Sequence, residues 1–104
     1  MIRPMRDPNA AVRESTELDA LARKLLWWER VETVRKNPKR LACQVMALGT
    51  WSDVLIARRA LGDTLFRDAL RDAPPGVFDP RSWNYWHLVL GNTPVPPLPV
   101  RTFP

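Results

Sequence analysis

Helix stops and restarts divide this chain more finely than any other feature of it. Asn37-Pro38 and Asp79-Pro80 each place a capping side chain just before a proline. Proline suits the first helical position because the N–H it lacks would have no intrahelical partner there. Single glycines stand at 49, 62 and 91, and Pro74-Pro75-Gly76 is a hard break. Glycine closes helices because it enters the left-handed region without steric cost. The segments between these marks are about three helical turns long, an ordinary length for a globular helix. No segment alternates polar and apolar residues at period two, as a half-buried strand would. The chain therefore reads as all-α, a compact bundle of about five short helices.

Each segment carries an apolar stripe. Ser15 or Thr16 caps the first helix, and Leu18, Leu21, Leu25 and Trp28 follow at spacings of three and four, so that helix is expected to run to about Trp28. Residues 29–36 are charged apart from Val31, Thr33 and Val34, and either prolong that helix or form a loop. The second helix carries Leu41, Val45 and Leu48 with Ala42 and Met46 beside them. The third, opened by Thr50 or Ser52, turns Trp51, Val54, Leu55 and Ala57 inward. The fourth starts at Asp63 or Thr64 and turns Leu65, Phe66, Ala69 and Leu70 inward. In the fifth, Trp83 and Trp86 share one side while Tyr85, Leu88 and Val89 spread round another. A helix apolar on most sides is either central in the core or covered by a partner.

The sequence divides into a flexible arm at 1–13, interrupted by Pro4 and Pro8, a helical domain at 14–91, and a proline-rich extended tail at 92–104. The tail either wraps over an aromatic groove of its own domain, at Trp27 or Trp28, or lies on a partner, with Val100 and Phe103 as anchors in both cases. A chain of 104 residues supports one core. Five tryptophans, each able to remove roughly 150–250 Å² from water, are expected to anchor it.

Charge and chemistry narrow the function. The net charge of +5 favours acidic partners, although eleven acidic residues are mixed among sixteen basic ones. Cys43 is the sole cysteine, so no internal disulfide is expected. No stretch approaches the ~18 apolar residues that cross a bilayer, and a cytoplasmic protein is expected. His87, the one histidine, sits in an apolar helix and reads as structural, with a ring nitrogen bonded to a backbone carbonyl; Cys43 reads as a small buried hydrophobe. Together they fall short of a zinc site's usual ligand set. No catalytic residue, cofactor or metal site is expected, and the protein is read as a binding protein, not an enzyme. Arg58, Arg59, Arg67 and Arg71 around Gly62 give a glance of helix-turn-helix, yet the second of those helices opens Thr64-Leu65-Phe66, poor in base-reading side chains.

Leu25-Leu26-Trp27-Trp28, Leu48-Gly49-Thr50-Trp51, Gly62 and the run from Asp79 to Trp86 occur together. Over residues 25–91 the chain thereby resembles a family of small bacterial helical proteins often encoded beside abortive-infection-type nucleotidyltransferase toxins. Here Asp79 stands where that family's last motif begins with serine, and Ser82-Trp83 stands for its Thr-Leu. The resemblance implies an antitoxin that neutralises such a toxin by protein–protein contact. Arg58, Arg59, Arg81 and Arg101 would then face the carboxylates of an acidic cleft, with Pro97 and Phe103 contributing from the tail. The alternatives are a small helix-turn-helix-like DNA-binding regulator, for which nucleic acid is the partner, and a homodimer pairing the fifth helix across a twofold axis.

Overall fold

Asn37 caps a helix that Pro38 opens, its side chain accepting from the Arg40 amide, in a computed structural model that describes residues 10–100. Among those residues there are six helices: α1 (Ala10–Leu25), α2 (Val31–Arg35), α3 (Pro38–Leu48), α4 (Trp51–Leu61), α5 (Asp63–Arg71) and α6 (Pro80–Leu90). No strand occurs among them. Asp79 accepts from the Ser82 amide at 2.7 Å ahead of Pro80. Gly91 closes α6 at φ 75°, and the next amide, of Asn92, bonds back to the His87 carbonyl. Gly62, at φ 86°, is the entire link between α4 and α5. A side chain there would strain the backbone.

Two boundaries differ from expectation. α1 begins at Ala10, within the stretch read as an arm, so Ser15 and Thr16 lie inside the helix and not at its cap. It also ends three residues before Trp28. After Leu26, which is completely buried, the Glu29 amide bonds the Leu26 carbonyl and turns the chain. Glu29 then pairs with Arg40 on α3, fixing the corner. That turn swings Trp27 and Trp28 outward, to 75% and 53% exposure, although the stripe had placed Trp28 on the core face. Residues 31–35 form a helix of their own, α2, anchored by buried Val34.

α3 is the hub and touches every other helix. Its inner positions are compact enough for close approach from several sides, with Ala42 and Val45 fully buried. Phe66 and Leu70 of α5 pack there, and Trp83 and Trp86 of α6 close the core. The other three tryptophans are exposed, so two rings of the five serve as core anchors.

α4 is rotated from its expected orientation. Its buried face is Asp53, Val54 and Ala57, leaving Trp51 at 60% exposure and Leu55 at 52%. Asp53 sets the rotation. Its carboxylate accepts from the Thr50 amide at 2.9 Å while Thr50 Oγ1 accepts from the Asp53 amide, a reciprocal capping box. The same Asp53 oxygen receives Lys24 Nζ of α1 at 2.7 Å. These bonds require Asp53 to face α1, and Trp51 and Leu55 then fall on the flank.

The Lys24 bond, ahead of those from Thr50, holds the Asp53 carboxyl below the usual carboxylate range against the opposing effect of burial. A carboxyl whose pKa is lower folded than unfolded stabilises the protein above its unfolded pKa. That stability is lost as pH falls through the folded pKa. Asp53→Ala is thus expected to lower stability at neutral pH by about 1–2 kcal/mol, the usual range for a lost cap with its bonds. It should also flatten the acid limb of the stability–pH curve. Urea melts of both proteins at neutral pH and below the carboxylate range measure the difference; parallel acid limbs would contradict it.

Candidate functional site

His87 and Cys43 are both bonded to backbone carbonyls inside the core. His87 is buried, with Nδ1 2.7 Å from the Trp83 carbonyl oxygen and its ring centroid 4.1 Å from that of Trp83, the planes tilted by 57°. Cys43 Sγ donates to the Ala69 carbonyl at 3.4 Å, and burial pushes its thiol up to about 11. Since the thiolate is the reactive form, Cys43 should resist iodoacetamide at neutral pH in the folded protein and label readily in denaturant. Mass spectrometry after a timed exposure checks this; rapid native labelling would show an open path to the sulfur. Among the described residues no three His, Cys, Asp or Glu side chains gather as a metal set, and no helix is long and apolar enough to cross a membrane.

A groove of about 910 Å³ lies between α3 and the segment after α5. Trp28, Leu48 and Val77 give it apolar walls, and Cys43 lies at its lining. Its two cations are engaged, Lys39 with Asp72 at 2.8 Å and Arg40 with Glu29. The Asp72 bond raises Lys39 above its ordinary value and lowers Asp72 below its own.

Of the arginines expected at a partner site, Arg58 and Arg59 are paired within the chain. Arg58 makes a two-pronged pair with Asp63, both contacts at 2.8 Å. That pair raises the guanidinium and holds the Asp63 carboxyl low. Arg59 points to the opposite flank of α4 and reaches Glu17 of α1 at 3.1 Å. Arg81 is exposed in the first turn of α6 and makes no ion pair among the described residues, and Pro97 is exposed on the tail. Arg101 and Phe103 lie outside the described residues. Helix-turn-helix recognition uses a turn of about three to four residues between its helices, whereas Gly62 alone joins α4 to α5. Of the other arginines in that reading, Arg67 donates to the Leu90 carbonyl and Arg71 lies against Asp68.

Trp51 and Leu55, expected to face inward, are exposed. Trp51, Leu55 and Arg58, at spacings of four and three, form one flank of α4. Tyr85, Leu88 and Val89, at spacings of three and four, form the outward face of α6, with Leu88 at 65% exposure. Both helices pack on α3 and α5 and neither packs on the other. Tyr85 is the α6 residue within electrostatic range of Arg58 on α4. Trp86, beneath Tyr85 at 5.2 Å, donates its indole N–H to the Met46 carbonyl. Five large apolar side chains on two ridges are thus supported from below by the core and open to solvent above.

The chain matches no family model, no curated protein and no solved structure. Its surface must therefore be read from its own geometry. Scattered apolar side chains are normal on a protein surface, whereas a contiguous patch of them marks a contact site. The period of α6 does carry the signal: with Trp83, Trp86, His87 and Leu90 inside, Tyr85, Leu88 and Val89 must face away.

The tail takes the path over its own domain, but at a different ring from those expected. Up to residue 100 it lies on its own domain, and its contact is Trp83 in place of Trp27 or Trp28. The Trp83 indole donates to the Pro96 carbonyl at 2.8 Å, while Val95 and Leu98 pack against the core.

Proposed function

We propose that this protein acts by binding another protein, as an antitoxin-like chain that neutralises a nucleotidyltransferase toxin by covering it. The observation that carries the binding role is the two-ridge surface of Trp51, Leu55, Tyr85, Leu88 and Val89. Exposed aromatic and aliphatic side chains held on rigid helices lose water on contact without having to be ordered first, and such residues make interface hot spots. The toxin enters through the resemblance over residues 25–91. Of the motif residues behind it, Trp27, Trp28, Leu48 and Trp51 are exposed, which suits contact better than packing. The positive net charge matches a cleft whose carboxylates hold a metal.

Co-expression with a nucleotidyltransferase toxin of the abortive-infection class tests the reading, with complex formation and growth as the two readouts. The pair should co-purify and growth should recover, and Trp51→Ala with Leu55→Asp should abolish both while leaving the helical circular dichroism intact. Separate elution together with unrelieved toxicity would end the proposal.

A further inference from the structure

Two arginines stand at the two ends of α6. Arg81 stands at its amino end, exposed and without an ion pair among the described residues. The nearby Asp79 carboxylate is occupied by the Ser82 amide and hydroxyl. At the other end, Arg67 of α5 donates Nε to the Leu90 carbonyl at 2.8 Å and likewise pairs with no carboxylate among the described residues. Asp63, whose carboxyl Arg67 helps to hold low, is tied to Arg58. Arg81 and Leu90 are about 13–14 Å apart along the helix. Tyr85, Leu88 and Val89 fill the interval.

We propose that this face seats an amphipathic helix of a partner protein, one whose apolar stripe carries a carboxylate at each end. The inference rests on the protein-binding role above and specifies the element recognised. An apolar stripe at spacings of three and four meets the ridge of α6, as in other helix-on-groove recognition. Each guanidinium retains donors in a fork that suits a carboxylate. A bare helix carboxyl end repels anions, but Arg67 covers the last carbonyl of α6 and makes that end receptive. The same pair of charges argues against a second copy of this chain. In an antiparallel pairing of two α6 helices, Arg81 would meet Arg67 of the other copy; in a parallel pairing, like would meet like. Both place uncompensated cations together, which disfavours the contact.

The test uses the full chain and two labelled synthetic helical peptides that share one leucine stripe. One carries glutamates at both ends of the stripe and the other lysines. Fluorescence anisotropy should show the glutamate peptide binding at least about tenfold more tightly, with the gap narrowing as salt rises. Arg81→Glu, which leaves one cation and one anion at the two ends, should abolish the preference. Leu88→Ala should weaken both peptides, and both variants alter exposed side chains, so their circular dichroism should match the parent. Equal affinities, or no binding of either peptide, would overturn the proposal. So would light scattering at twice the chain mass that Leu88→Ala returns to one, since a second copy would then own the face. A toxin complex insensitive to Arg81→Glu and Leu88→Ala removes this proposal and leaves the toxin. Charge-dependent peptide binding without any toxin complex does the reverse.

Discussion

Replacing Trp86 with alanine should remove about 4 kcal/mol of stability, the middle of the range for deleting a large buried ring. Trp86 is 3% exposed, with Phe66 at 6.0 Å and Tyr85 at 5.2 Å between ring centroids. Its indole N–H donates to the Met46 carbonyl at 2.9 Å. That carbonyl lies in the last turn of α3, where carbonyls have no partner in their own helix. Met46 obtains its donor from a residue forty positions later in the chain. Alanine therefore opens a cavity and leaves a buried acceptor unsatisfied. Domains of this size hold roughly 5–15 kcal/mol in all, so much of the folded population would be lost. Trp86→Phe should keep most of the packing and lose the bond, at a cost of about 1–2 kcal/mol. Trp51→Ala, on an exposed ring, should stay within about 0.5 kcal/mol of the parent. Urea denaturation followed by far-ultraviolet circular dichroism measures all three. Similar losses for Trp86→Ala and Trp51→Ala would refute the division of the tryptophans into core and surface.

Ending the chain after Asn92 should lower stability by about 2–3 kcal/mol. The bond from Trp83 to Pro96 is worth about 1 kcal/mol net, and the partly buried Val95 and Leu98 contribute roughly a further kcal/mol each. The prolines lower the entropy that the tail loses on docking, because they already restrict it when unfolded. Removing the tail also uncovers Trp83, which is 4% exposed with the tail in place. For a domain of about this size the melting temperature should fall by roughly 10–20 °C. Calorimetry on the full and shortened chains decides the matter. An unchanged melting temperature would show that the tail is not a strap for α6 and is free to serve a partner.

Most helix ends were legible in the sequence because caps are local. Asn37, Thr50 and Asp79 accept bonds from amides three residues on, and Gly62 and Gly91 take backbone angles that other residues avoid. Such interactions need no distant element. The roles of His87 and Cys43 were legible for a related reason: lone polar groups in apolar helices bond to backbone carbonyls once buried. The start of α1 was misread because Ser15 and Thr16 resemble caps even inside a helix.

The exposed apolar residues of α3 and α4 were not legible. Helical period places Trp51, Leu55 and Leu48 on recognisable stripes, but it does not state which flank of a stripe meets the hub helix. That orientation is fixed by Lys24 reaching Asp53 across twenty-nine positions and by Trp86 reaching Met46 across forty. The pairing of Arg58 with Asp63, which draws that arginine away from any free cluster, likewise depends on the single-residue turn at Gly62. Local rules set where each helix begins and ends, because caps and turns act over three or four residues. Which tryptophans the core encloses, which ones water meets, and where the tail rests were settled by tertiary structure alone, because burial is decided by contacts between residues far apart in the chain.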